Sequence, residues 1–249
     1  MKGRLTIIVL ILITVLAFFL RVHGINYYSY GDEAYHVYNA LGLGAGQMPH
    51  NFHHLALFVF YGCIYIVGWI GGIFTTPAAF IGLYFSDQHI FYYLGRFFEV
   101  LMGTAAIPLI YLLGRKMFSP RTGLAAALFL AVCPVAVDVS QIARGQALCL
   151  LLSISALYCA FRLIRKDAVI YSVCAGLSLG AVISIRINAG IILLPVIILF
   201  WYSVSDSPGS LFLRLKRLVI SRRLWLIIIS AAVIYMVSNS AYILRLGSF

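Results

Sequence analysis

Long apolar runs recur along the chain, at 5–20, 97–113, 123–137, 147–163, 168–185, 189–202 and 224–244. They approach the roughly 20 residues that an α-helix needs to cross a hydrocarbon core of roughly 30 Å. They are continuous rather than alternating in polarity, so they predict helices and not the strands of a membrane barrel. A different pattern holds at 33–43, where Ala34, Val37, Tyr38 and Leu41 fall at i, i+3, i+4 and i+7. That spacing gives a helix one apolar face, as expected of an element lying at an interface. The stretch 55–85 is apolar too, but Gly68, Gly71, Gly72 and Thr75-Thr76-Pro77 divide it. It reads as one or two helices lying at or dipping into the interface.

Composition agrees. Of 249 residues, 63% are hydrophobic and 10% charged, against about 25% charged in a soluble domain. The mean hydropathy is +1.02. The expected fold is an all-α integral membrane protein with about seven crossing helices, built as a single transmembrane domain over 1–249. Lys2 and Arg4 precede the first run with no small-x-small site before Arg21, which predicts a retained signal anchor.

The charges then orient it. Thirteen of the eighteen Lys and Arg residues fall in the loops at one end of the seven runs, and Arg21, Arg96, Arg144, Arg186 and Arg245 stand singly at the other. The positive-inside rule places the crowded end and the N-terminus in the cytoplasm. The net charge of +11 is thereby explained without nucleic acid, for which no basic stripe with interleaved aromatics exists. The five cysteines all lie in apolar segments with no CxxC, and read as buried small hydrophobes.

On this threading the first outer loop runs from about 21 to 93, and all six histidines and five of the seven acids face outward. Ionisable groups at the edge of a bilayer are costly, so their collection on one face calls for chemistry. Asp32 and Glu33, at the start of the 33–43 helix, are either an N-terminal cap shared with Ser29, or a general base with a neighbouring carboxylate that tunes it or holds a divalent metal. His53-His54 are either hydrogen-bonded anchors or contacts to substrate or metal. Tyr27, Tyr28, Tyr30, Tyr35 and Tyr38 fit an interfacial belt better than a sugar platform. Arg96, Arg144 and Arg186 either snorkel to headgroups or bind an anion such as phosphate.

Gly31-Asp32-Glu33-Ala34-Tyr35 after a first run ending at Arg21 resembles the polyprenyl-phosphate-dependent GT-C glycosyltransferases. The likeness is greatest to the protein O-mannosyltransferase and aminoarabinose-transferase branch, glycosyltransferase family 39. It continues through Leu94-Gly95-Arg96, Leu113-Gly114-Arg115-Lys116-Met117-Phe118, Pro134 to Ser140, Ala143-Arg144, Ile185-Arg186-Ile187-Asn188 and Asn239-Ser240-Ala241-Tyr242. His53-His54-Leu55-Ala56 stands where many relatives carry His-Pro-Pro or Asn-Pro-Pro, and Gly145-Gln146 where a Pro followed by an acid is common. Family members usually carry more spans, so the chain is expected to be the N-terminal transmembrane half of such a protein.

The resemblance implies transfer of a sugar from a polyprenyl-phosphate donor to an acceptor hydroxyl, with inversion, at the outer face of a bacterial or archaeal plasma membrane. It makes Asp32 the base and Glu33, Arg21, His53, His54, Arg96, Arg144 and Arg186 substrate contacts. Besides the donor, membrane lipid is an expected partner, and the acceptor is left open among protein, lipid and glycan. Two rival readings are a lipid-carrier-binding or scaffold subunit that keeps this fold without turnover, and a transporter. The transporter lacks the mid-span acids it would need.

Overall fold

The computed structural model describes residues 2–26, 31–165, 168–205 and 219–246, and contains no strand among them. The expected capping role of Ser29 lies outside the described residues. The helices are α1 (Lys2–His23), α2 (Gly31–Gly42), α3 (Phe52–Ile70), α4 (Pro77–Ser86), α5 (Gln88–Met117), α6 (Pro120–Val132), α7 (Pro134–Asp138), α8 (Gln146–Arg165), α9 (Val169–Ile185), α10 (Leu193–Ser205), α11 (Arg222–Ser238) and α12 (Ser240–Leu246). Four segments, Arg4–His23, Phe52–Ile70, Gln88–Met117 and Gln146–Leu163, are long and apolar enough to cross a membrane. Large apolar side chains such as Val67, Ile70 and Phe129 point outward from the bundle, as lipid-facing groups do.

Three expected runs are interrupted, the first for a plain physical reason. The 123–137 run breaks at Cys133 and bends by 64°, because Pro134 has no N–H for the helix ladder. The 224–244 run breaks at Asn239, and 189–202 begins in a 3₁₀ turn, Ile187–Ile192. The divided stretch 55–85 becomes two helices, α3 and α4, separated at the glycines, and α3 has the length of a span.

The 30-residue α5 is the central post, packed against α1, α6 and α8; α8 leads on to α9, and α9 to α11. The α9–α11 contact is close because a Cβ at Gly176 or Gly180 would run into the backbone of Ile227 or Ala231. Small residues let membrane helices approach in this way. α2 and α3 pack on each other and on α5, so the amphipathic helix predicted at 33–43 lies over the ends of the bundle. Its inward residues Val37, Ala40 and Leu41 join a core with Leu57, Tyr61 and Phe91.

Arg21 is part of this scaffold. Its side chain is fully buried and donates to the carbonyls of Ala17 (3.0 Å), Ala131 (3.2 Å) and Leu130 (3.2 Å). Pro134 cannot serve the Leu130 carbonyl four residues back, so Arg21 does so instead. Arg21, expected to contact substrate, serves here as a helix-end cap.

Candidate active site

Asp32 and Glu33 occupy the first turn of α2, where negative charge opposes the helix dipole favourably. Adjacent helical positions point about 100° apart, and these two side chains part company completely. Glu33 is fully buried. Arg96 on α5 grips it bidentately, Nε to Oε1 at 2.9 Å and Nη2 to Oε2 at 2.6 Å. The Ala143 amide donates to Oε1 at 2.8 Å, and Arg96 Nη1 donates to the Ile25 carbonyl at 2.8 Å. One buried ion pair thus ties together the end of α1, the start of α2, α5 and the loop before α8. Glu33 and Arg96, both expected to touch substrate, are engaged with each other below the surface.

Asp32 takes the opposite direction. Its side chain is 72% exposed and meets Arg144 Nη2 at 3.0 Å through Oδ2, with Arg144 itself 23% exposed. Arg144 directly follows Ala143, so the Glu33 hydrogen bond to the Ala143 amide also sets the position of the guanidinium that faces Asp32. Arg186, the C-terminal cap residue of α9, is exposed.

Histidines line the other side. His36, one turn after Asp32, shares a 3.0 Å hydrogen bond between its Nδ1 and Nε2 of His54. Its ring centre is 5.1 Å from that of His53 and 5.2 Å from that of His54. Burial, then the charges of His53, Arg144 and Arg186, push the His36 imidazole down to about 3. It is therefore neutral at ordinary pH, and Arg144 and Arg186 both act on it. His53, fully buried, sits 3.0 Å from Glu99 through Nε2, and its ring packs where a Cβ would stand at Gly145. Gly145 has φ +75°, a conformation that favours glycine. Glu99 in turn accepts from the first amides of α8, Ala147 at 2.9 Å and Leu148 at 3.4 Å.

Arg144, Arg186, His53 and His54 thus all act on His36, and Arg144 also meets Asp32, whereas Arg21, Glu33 and Arg96 make buried contacts within the scaffold. The sequence reading missed the Glu99–His53 pair and the Ala143 amide. Neither had a local signal, because each joins segments far apart in the sequence. Among the described residues no three His, Cys, Asp or Glu side chains are arranged to hold a metal ion. Both Glu33 oxygens already have partners, so Asp32 and Glu33 do not form a metal clamp.

A cavity of about 500 Å³ adjoins the histidines. Ile183, Ile185, Ile187 and Ile243 supply its apolar wall, and His50, Asn51, Ser184, Tyr235, Asn239 and Tyr242 its polar groups.

Residues 87–237 match the model of the family described as dolichyl-phosphate-mannose-protein mannosyltransferase. The chain belongs to that family. It is a membrane glycosyltransferase of the GT-C type, as the motifs led us to expect. The matched segment includes Arg96, Glu99, Arg144 and Arg186, while Asp32, Glu33 and the histidines of α2 and α3 precede it. No curated protein matches the chain.

Proposed function

We propose that the chain transfers a glycosyl group from a polyprenyl-phosphate donor to an acceptor hydroxyl, with inversion, at the outer face of the membrane. The observation that carries this reading is the Asp32–Arg144 pair, an exposed carboxylate and a half-buried guanidinium 3.0 Å apart on a buried, fully bonded support. A glycosyltransferase of this type must hold a phosphate and, across the anomeric carbon from it, accept a proton.

In the proposed cycle the donor phosphate takes the place of Asp32 on Arg144, with Arg186 adding charge from the end of α9. Asp32 is released toward the acceptor hydroxyl, on the face of the sugar opposite the phosphate, and accepts its proton. The acceptor oxygen forms its bond to the anomeric carbon as the bond to the phosphate oxygen breaks on the opposite face, and polyprenyl phosphate departs. The leaving phosphate is a weak base, so cations suffice to stabilise it and no general acid is needed. Base placement of this kind contributes about 100- to 10,000-fold. The outer-face placement rests on the uneven split of the cations, because Asp32, Arg144 and Arg186 lie at the sparse end. The same split supports the seven-crossing topology with a cytoplasmic N-terminus.

The test is transfer of radiolabelled sugar from a synthetic polyprenyl-phosphate donor by purified protein in proteoliposomes, with the product anomer read by NMR. The expected result is product of opposite anomeric configuration to the donor. Retention of configuration would exclude the single displacement, and donor binding without any turnover would favour the carrier-binding subunit.

A further inference from the structure

Asn239-Ser240-Ala241-Tyr242 has no role in the chemistry above, yet the break it makes after α11 shapes the 500 Å³ cavity. The walls are braced. Asn239 Nδ2 donates to Ser184 Oγ at 2.8 Å, the Phe52 amide donates to the same hydroxyl oxygen at 2.9 Å, and the Ala241 amide donates to the Pro49 carbonyl at 3.2 Å. Asn239 and Ser184 are 8% and 7% exposed, so these are interior polar groups. Asn239 uses its amide N–H groups on Ser184 and the Tyr235 carbonyl, which leaves Oδ1 as an acceptor. Asn51 uses Oδ1 to cap α3 through the His54 amide, which leaves Nδ2 as a donor. The Tyr235 and Tyr242 rings are 38% and 50% exposed.

The volume lies within the range of small-molecule sites, about 300–1,000 Å³. Among the described residues no Asp, Glu, Lys or Arg side chain lines the cavity, so no fixed charge there is set to neutralise a phosphate or carboxylate. A prenyl chain would leave Asn51 Nδ2 and Asn239 Oδ1 desolvated and unpaired. What fits is an uncharged ligand with hydroxyls at its edges and C–H groups on its faces. The cavity also communicates with the proposed chemistry: the His50 ring is 5.2 Å from Tyr242 on one side and 6.2 Å from His54 on the other.

We propose that this cavity seats the acceptor and that the acceptor is a neutral saccharide, stacked on Tyr242 and hydrogen-bonded to Asn51 and Asn239. The acceptor role rests on the transfer reading above; the saccharide chemistry rests on the cavity itself.

The experiment is saturation-transfer NMR on the full chain in nanodiscs, with three probes: mannotriose, an N-acetylated Ser-Thr-Ser amide and geraniol. Binding of a fluorescent polyprenyl-phosphate sugar is measured on the same samples. Mannotriose is expected to receive saturation, with affinity reduced at least about tenfold in Tyr242→Ala, restored in Tyr242→Phe, and donor binding unchanged in both. Preferential, Tyr242-dependent binding of the peptide or of geraniol overturns the saccharide assignment. So does donor binding with no mannotriose signal in the unsubstituted chain. Mannotriose binding without donor binding leaves the cavity assignment standing and overturns the transfer reading instead.

Discussion

Arg144 Nη2 lies 3.0 Å from Asp32 Oδ2, so the most exposed carboxylate of the site is held by a half-buried cation. The pair is poised rather than locked, since Asp32 itself is 72% exposed. An exposed ion pair of this kind is worth only about 0–1 kcal/mol, and an incoming phosphate can replace the carboxylate at little cost.

Arg144→Ala is expected to weaken binding of a polyprenyl-phosphate sugar by about 1.5–3 kcal/mol, the scale of a charged hydrogen bond, and Arg186→Ala by less. Titration of a fluorescent donor analogue into detergent-solubilised protein measures both. Donor affinity unchanged in Arg144→Ala would place the phosphate elsewhere.

Glu33→Gln addresses a different quantity. It strands Arg96 in a buried site, and breaking one half of a buried pair costs about 3–5 kcal/mol of stability. The unfolding midpoint in detergent should drop steeply, while the double variant Glu33→Gln with Arg96→Met should recover part of the loss. Folded Glu33→Gln protein of ordinary stability that fails to bind donor would return Glu33 to the list of substrate contacts.

This division between Asp32 and Glu33 shows what the sequence could carry. Two adjacent acids at a helix start, about 100° apart, already imply that only one can face a given substrate. Which one faces outward depends on Arg96, 63 positions away from Glu33, and on the Ala143 amide, 110 positions away. No local pattern encodes such pairings. Helix positions were legible because apolar runs and glycine punctuation are local. The 64° bend at Pro134 was legible in principle, since a proline inside an apolar run lacks its N–H. The Arg21 cap follows from that bend but needs α1 and α6 side by side, which sequence spacing does not reveal.

His36 gives a signed pH dependence. Its folded value of about 3 lies below the ordinary 6.5. Between these values the unfolded chain binds a proton that the folded chain refuses. His36 therefore supports the fold fully above pH 6.5, and that support is lost progressively as the pH falls from 6.5 toward 3. His36→Gln should flatten the decline of the unfolding midpoint between pH 6.5 and 5. Parallel declines in the two proteins would show that another group governs this range.

Most direct is single-turnover transfer of radiolabelled sugar from the lipid donor, comparing the unsubstituted chain with Asp32→Asn at matched donor occupancy. Asparagine keeps the size and most hydrogen bonds of Asp32 but does not accept the proton. Donor binding within a few fold of normal and a rate lowered at least about 100-fold are expected. A near-normal rate in Asp32→Asn would contradict the assignment of Asp32, and would move the base to another group in the histidine cluster.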